Sequence, residues 1–120
     1  MDVFAVYRQL TGIEPLNGSN YATWRTIVDI MLGLSNYEFV LTEAKPPAPT
    51  ADTSKTDKLK YLKWDKANTM AIRLIRASIS EAIRGGIPSK DTSKELLETV
   101  CWYQEAVAIL LSNTAHVYPL

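Results

Sequence analysis

The chain is poor in the side chains that form metal centres and nucleophilic sites. Among 120 residues it has one cysteine, Cys101, and one histidine, His116. A single cysteine excludes an intrachain disulfide and is typical of a reducing compartment, and this pair cannot supply a zinc site. No apolar run reaches the roughly 18–20 residues of a membrane-spanning helix, and the N-terminus does not resemble a signal peptide. We therefore expect a cytoplasmic protein without metal, cofactor or membrane contact.

Net charge is also absent, but charge is distributed unevenly along the chain. Thirteen basic residues balance thirteen acidic ones. Residues 1–54 carry a net charge of −3, residues 55–84 carry +5 and residues 85–120 carry −2. A basic segment between acidic flanks suits head-to-tail contact between copies at least as well as RNA binding. The content of 47% hydrophobic and 22% charged residues is typical of one small folded domain.

No arrangement of residues predicts catalysis. Cys101 and His116 are the only conceivable nucleophile and base, yet nothing places them together, and Cys101 lies within a predicted helix as a buried thiol. Glu95 and Glu98 stand near the start of a predicted helix, where they complement its dipole. The glycine pair at 85–86 lacks the third glycine of a phosphate-binding loop and follows a helix. We expect neither an enzyme nor a small-molecule substrate.

Hydrophobic periodicity predicts an all-α fold. A first helix spans residues 20–33, and Ser19 or Asn20 caps its first turn. A Ser-x-x-Glu capping box at 35–38 starts a short second helix. Three prolines in four residues make residues 43–53 an extended loop, because proline removes the hydrogen bonds of helices and strands.

The second half of the chain contains the longer predicted helices. A capping box at Ser54 begins a helical run of about thirty residues, either one helix or two that meet near residues 78–80. Gly85 then suits a left-handed cap that ends the run. Another capping box at Thr92 starts the last helix, which we expect to continue to about Ser112.

The expected architecture is a small antiparallel bundle of four to five helices. Its predicted core consists of Trp24, Ile27, Met31, Leu62, Met70, Leu74 and Ile79. We also expect an aromatic cluster that joins the first and third helices through Tyr21, Trp24, Tyr37, Tyr61 and Trp64. Residues 1–15 are an N-terminal extension, residues 16–100 the helical domain and residues 101–120 an apolar tail that prolongs the last helix.

A polar turn that leads directly into an amphipathic helix is the most informative motif. Residues 16–24 read Leu-Asn-Gly-Ser-Asn-Tyr-Ala-Thr-Trp. Asn17 and Gly18 suit a chain reversal because both tolerate positive φ, and Tyr21 and Trp24 share one helical face. The pattern closely resembles the start of the Gag polyprotein of copia-type LTR retrotransposons, which opens with a similar Leu-(Asn/Asp)-Gly-x-Asn-Tyr-x-x-Trp.

Further motifs similar to that family follow in order, so that the resemblance covers residues 13–100. Residues 41–47 resemble its Leu-Thr-Glu-x-Lys-Pro-Pro element, and residues 61–68 its Tyr-x-x-Trp-x-(Lys/Arg)-(Ala/Ser)-Asn element. Residues 72–88 and 94–98 are similar to the helices that come next. The structural motif expected to hold the domain together comprises Leu16, Asn17, Gly18, Asn20, Tyr21, Trp24 and Trp64.

The resemblance implies the N-terminal lobe of a capsid-like domain, a structural module without enzymatic activity. In that family the full Gag protein multimerises into a cytoplasmic particle that encloses the element's RNA, and many members also carry a second lobe and a zinc knuckle. This chain lacks the knuckle's cysteines. Residues 101–120 contain a single charged residue, Glu105, and diverge from the family. We expect a truncated copy whose apolar tail needs a partner surface.

Basic residues of the third predicted helix are the candidate contact residues: Lys58, Lys63, Lys66, Arg73 and Arg76. We expect Lys55, Lys58, Lys66 and Arg73 to be spread over more than one helical face. The basic residues then form a solvated surface, an oligomer contact or a weak RNA site. Tyr61 and Trp64 would stack on bases if they were exposed. Self-association through repeated weak contacts is the expected function. The alternatives are a domesticated protein-interaction module, a weak RNA-binding protein and a non-functional remnant.

Overall fold

The computed structural model describes residues 15–117, with side chains described as far as residue 110. Within that range it contains no β-strand and four α-helices: α1 (Tyr21–Leu34), α2 (Lys55–Ala77), α3 (Glu81–Arg84) and α4 (Ser93–Val117). A 3₁₀ turn (Glu38–Leu41) lies between α1 and α2. The all-α prediction is confirmed. The predictions for residues 1–14 lie outside the described residues.

The two long helices begin where their capping boxes predict. Ser54 Oγ accepts a hydrogen bond from the Asp57 amide at 3.1 Å, and Thr92 Oγ1 accepts one from the Glu95 amide at 3.1 Å. Each hydroxyl satisfies a first-turn donor that has no partner within the helix. Since α2 ends before residues 78–80 and α3 follows them, the alternative of two helices is correct.

Two predicted helix boundaries and the conformation of one cap are wrong, although the helical run does end before Gly85 as predicted. No α-helix starts at Ser35; a 3₁₀ turn begins instead at Glu38, because Asn36 takes a positive φ of 60° that interrupts the helical path. Gly85 is right-handed, with φ −63°, because the chain continues from the short α3 in further right-handed turns. The last helix runs beyond its predicted end, as far as Val117.

One hydrophobic core joins these elements. Four predicted core residues are at most 3% exposed: Trp24, Met31, Leu74 and Ile79. Ile27 and Met70 are half-buried. Leu62 is 59% exposed and lies outside the core. It precedes the buried Trp64 by two residues, and this separation corresponds to about 200° around the helix. The core also contains residues outside that predicted set: Leu16, Val28, Leu32, Val40, Ala71, Ile75, Leu96, Leu97 and Val100.

Packing around the core brings α2 against α4, and the 3₁₀ turn contacts α1, α2 and α4. Among the described residues, the aromatic rings in mutual contact are those of Tyr21 and Trp24, with centroids 5.8 Å apart. Trp64 is instead directed to the backbone of Glu43, to which its indole donates a hydrogen bond at 3.2 Å. The predicted five-ring cluster is therefore distributed around the core and does not form one group.

Candidate functional site

The motif turn is closed by its own asparagines. Asn17 Oδ1 accepts hydrogen bonds from the Ser19 amide at 3.1 Å and the Ser19 hydroxyl at 2.9 Å. Asn20 Oδ1 accepts one from the Asn17 amide at 3.0 Å, and Asn20 Nδ2 donates to the Pro15 carbonyl at 3.3 Å. The prediction that Ser19 or Asn20 caps α1 is wrong, because these side chains close the turn and the helix has no side-chain cap.

This turn is attached to two distant parts of the chain. Leu16 is 1% exposed; its amide donates to the Ser78 carbonyl at 2.9 Å, and its carbonyl accepts from the Ser80 amide at 3.0 Å. Gly18 has a φ of +96°, and its carbonyl accepts a hydrogen bond from the Gln104 side chain at 2.9 Å. The turn therefore links the start of α1 to the end of α2 and to the middle of α4.

Trp24 fastens α1 to the same point at the end of α2. Its side chain is fully buried, and Nε1 donates to the Ser78 carbonyl at 2.9 Å and lies 3.0 Å from the Ser78 hydroxyl. That hydroxyl donates in turn to the Ile75 carbonyl at 2.7 Å. A buried indole N–H needs such a partner. Leu16 and Trp24 thus both bind Ser78, and we call these three residues the clasp.

The motif of residues 61–68, which contains Trp64, has a similar structural role. Asn68 is 5% exposed; its Nδ2 donates to the Asp91 carbonyl at 2.9 Å, and its Oδ1 accepts from the Ser93 amide at 2.8 Å and hydroxyl at 3.0 Å. One buried amide thus holds the start of α4 against α2. Trp64 is 3% exposed, so its ring offers no surface on which a base could stack.

The candidate contact residues lie on the outer part of α2. They are exposed or half-buried: Lys58, Lys63, Lys66, Arg73 and Arg76. At about 100° per residue, Lys55, Lys58, Lys66 and Arg73 fall within a sector of about 80° around the helix axis. The expectation that these basic residues are spread over more than one face is therefore wrong. They share the side of α2 that faces away from the core.

Two leucines lie on the same side of α2 and are largely exposed. Leu59 is 58% and Leu62 is 59% exposed. Together with the neighbouring polar side chains they form what we call the α2 stripe, all of whose members are exposed: Lys55, Leu59, Leu62, Lys66, Thr69 and Arg73. Alternating intervals of four and three residues keep these side chains on one line along the helix.

The cations of the α2 stripe have no ionic partner among the described side chains. The ion pair among the described side chains lies on α1, where Arg25 and Asp29 are 3.2 Å apart. Arg76, beside the stripe, donates a hydrogen bond to Ser89 Oγ at 3.0 Å and is engaged locally. The stripe therefore presents positive charge and apolar surface that the described part of the chain leaves available.

A cavity of about 1200 Å³ lies between the Pro-rich segment and α2. Its wall includes Phe39, and Lys63 Nζ lies 5.6 Å from the centroid of that ring. Residues 43–53 form no helix or strand, as their prolines predict. The lining combines aromatic and proline surface with both acidic and basic side chains.

The remaining candidate residues are dispersed. Cys101 is half-buried, so the prediction of a buried thiol is wrong. It lies at the border between the buried and exposed faces of α4, with Sγ 3.8 Å from Glu105 Oε1. Burial raises the pKa of the Tyr21 phenol, contact with Cys101 raises it further, and Arg25 opposes both effects. The side chain of His116 lies outside the described residues.

Comparison of the chain with protein-family models, curated proteins and solved structures found no match. Across residues 15–117, no helix combines the length and apolar character that crossing a bilayer requires. In the described part of the chain, no group of three or more His, Cys, Asp or Glu side chains could hold a metal ion. A function has to be proposed from the geometry of the chain itself.

Proposed function

We propose that this chain is a non-enzymatic structural module that associates with copies of itself, similar to the N-terminal capsid-like lobe of a copia-type Gag protein. The α2 stripe is the observation that carries this proposal. Two neighbouring exposed leucines lie there between cations, along the longest helix whose side chains are described throughout. Contiguous apolar surface of this kind is typical of interaction sites, and weak contacts repeated over many copies give avidity.

The positions of the family-like residues support the same proposal. Trp24 and Leu16 of the clasp and Asn68 are buried and hold helices to one another. Buried residues of two motifs that resemble copia-type Gag therefore hold this all-α fold together. On this proposal the helices form the antiparallel bundle of such a lobe, residues 101–120 are a divergent tail, and the protein acts in the cytoplasm without a cofactor.

Light scattering of the whole chain, purified free of nucleic acid, tests the proposal over a concentration series. The average mass is expected to rise above the 13.4 kDa of one chain as concentration increases. The double variant Leu59→Ser/Leu62→Ser should stay at the mass of one chain, since it removes the apolar part of the stripe. Its matched control is Ile30→Ser/Leu34→Ser, at positions 53% and 66% exposed on α1. A wild-type mass that stays at 13.4 kDa at every concentration contradicts self-association.

Binding of a partner peptide is a second candidate, favoured by the cavity beside the Pro-rich segment. Grooves that combine apolar walls with a few charged groups suit extended peptides. This domesticated interaction module would be monomeric at every concentration. Its affinity for a peptide found by library selection would fall on substitution Lys63→Ala in the cavity wall, and would be unchanged by Arg73→Ala on the α2 stripe.

Weak RNA binding is the remaining alternative, supported by the exposed cations Lys63, Lys66 and Arg73. It predicts affinity for a single-stranded RNA probe that falls steeply with salt and is reduced by Lys66→Ala. Because Trp64 is buried, stacking on that ring would contribute nothing.

A further inference from the structure

A second exposed line of side chains runs along α4, and it is acidic where the α2 stripe is basic. Its members recur at alternating intervals of three and four residues and are all exposed: Glu95, Glu98, Trp102, Glu105 and Ile109. Trp102 is 68% and Ile109 is 60% exposed. At about 100° per residue the five positions fall within about 80° of one another. We call this line the α4 stripe.

The two stripes match in charge, spacing and length. The α2 stripe has three cations and two leucines, and the α4 stripe has three carboxylates and two large apolar side chains. Alternating intervals of three and four residues are the spacing of helices that pack side by side. With a rise of about 1.5 Å per residue, the α2 stripe is about 27 Å long and the α4 stripe about 21 Å long.

The stripes cannot meet within one copy of the chain. The helices α2 and α4 pack against each other, and Leu74, Ile75, Leu96 and Val100 on their inner faces are at most 2% exposed. Each stripe lies on the opposite side of its helix from these buried residues. Contact between them therefore requires a second copy.

We propose that the α2 stripe of one copy docks on the α4 stripe of the next, so that copies associate head to tail. This inference rests on the proposed self-association and specifies its interface. Pairing of like stripes is disfavoured, because it would set three cations against three cations, or three carboxylates against three carboxylates. A contact between two different surfaces leaves one stripe free at each end, so that the assembly grows into a ring if the rotation between copies closes and into an open filament if it does not.

Mixing two variants tests the head-to-tail arrangement. Leu59→Ser/Leu62→Ser disables the α2 stripe, and Trp102→Ser/Ile109→Ser disables the α4 stripe. Each variant alone should stay at 13.4 kDa at concentrations where the wild type is larger. An equimolar mixture retains one functional contact per pair, so its mass should approach twice that of one chain and go no higher. Circular dichroism of each variant checks that the helices remain folded.

Charge reversal provides an independent test at two exposed positions. Lys66→Glu should weaken association at least about tenfold, because it places a carboxylate against the acidic stripe. Adding Glu105→Lys in the same chain should restore most of the loss, and association of the wild type should weaken as salt rises from about 50 mM to about 500 mM.

The possible outcomes separate the interface from the function. If the wild type associates and Trp102→Ser/Ile109→Ser leaves its mass unchanged, the α4 stripe is not the partner surface, although self-association stands. If the mixture of variants stays monomeric, the two stripes do not bind each other and the head-to-tail arrangement is wrong. If one variant alone still forms dimers, two like surfaces are pairing, which also contradicts that arrangement. If the wild type remains at 13.4 kDa throughout, the proposed function fails together with the interface.

Discussion

The clasp and the α4 stripe use the same residue type for opposite purposes. Trp24 in the clasp is 0% exposed, and its indole has hydrogen-bond partners on Ser78. Trp102 in the α4 stripe is 68% exposed. The first tryptophan ends the motif of residues 16–24, whereas the second lies near the middle of α4. The comparison teaches that a buried tryptophan specifies how the helices pack, whereas an exposed tryptophan is available for the contacts proposed above.

The largest contrast is expected between alanine substitutions of these two tryptophans. Trp24→Ala should lower the free energy of unfolding by about 3–5 kcal/mol, because it leaves a cavity and removes the bond to Ser78. Trp102→Ala should change it by less than about 0.5 kcal/mol. Urea unfolding followed by circular dichroism measures both. Equal losses of stability in the two variants would show that residue 102 is packed in solution. The contrast between a buried Trp24 and an exposed Trp102 would then be wrong.

A smaller contrast is expected between neighbouring residues on α2. Asn68→Ala should destabilise the fold by about 1–3 kcal/mol, since it leaves the Ser93 amide and the Asp91 carbonyl without their buried partner. Thr69→Ala, at an exposed position of the α2 stripe, should be within about 0.5 kcal/mol of the wild type. The same urea titration compares them. A neutral Asn68→Ala would mean that water replaces the amide and that the start of α4 is held in other ways.

The helices and most of their starts could be predicted from the sequence, because periodicity and capping are local signals. Ser54 and Thr92 cap the helices that their capping boxes predict. The same local signal predicts that Asn20 caps α1, yet its side chain accepts a hydrogen bond from the Asn17 amide. Whether the side chain caps the helix or closes the turn depends on where Leu16 is held, and Leu16 is bonded to Ser78, far along the chain. Local patterns do not contain such information.

Less of the candidate site could be predicted. The charge of the α2 segment predicts its basic residues as contact residues. The helical period, however, predicts that Leu62 lies in the core. Its exposure depends on which side of α2 faces the rest of the chain, and the buried Trp64 fixes that side. From the sequence alone, Glu95 and Glu98 are interpreted as partners of the helix dipole. Their alignment with Trp102 and Ile109 indicates a contact surface only when it is compared with the α2 stripe.

Two glycines, one in the motif turn and one in α1, should respond in opposite directions to the same substitution. Gly18→Ala is expected to destabilise by about 1–2 kcal/mol, because the turn requires a φ of +96° that alanine disfavours. Gly33→Ala should stabilise by about 0.4–1 kcal/mol, because the residue is helical and the added Cβ meets Glu38 Oε2 at an ordinary 3.4 Å. Thermal unfolding of both variants gives the signs. Stabilisation by Gly18→Ala would show that the turn relaxes to a negative φ.

The smallest expected effect is a dependence of stability on pH that originates at Tyr21. Burial raises the pKa of its phenol above the usual 10.0, and Cys101 adds to that shift. The unfolded chain therefore ionises first as pH rises. The contribution of Tyr21 to the free energy of unfolding is complete below about pH 10 and is lost as pH rises through the raised pKa. Urea titrations between about pH 9 and about pH 11 should show that Tyr21→Phe loses less stability than the wild type.

Cys101→Ala provides the control that connects this effect to the comparison between the motif and the tail. Tyr21 belongs to the motif of residues 16–24, and Cys101 begins the apolar segment of residues 101–120, which we call the tail. If Cys101→Ala reduces the dependence on pH, the tail packs against the motif in solution, since the thiol can act on the phenol only through that contact. Parallel curves for all three proteins would contradict the contact. The first turn of the tail would then be as independent of the core as the exposed Trp102 that follows it.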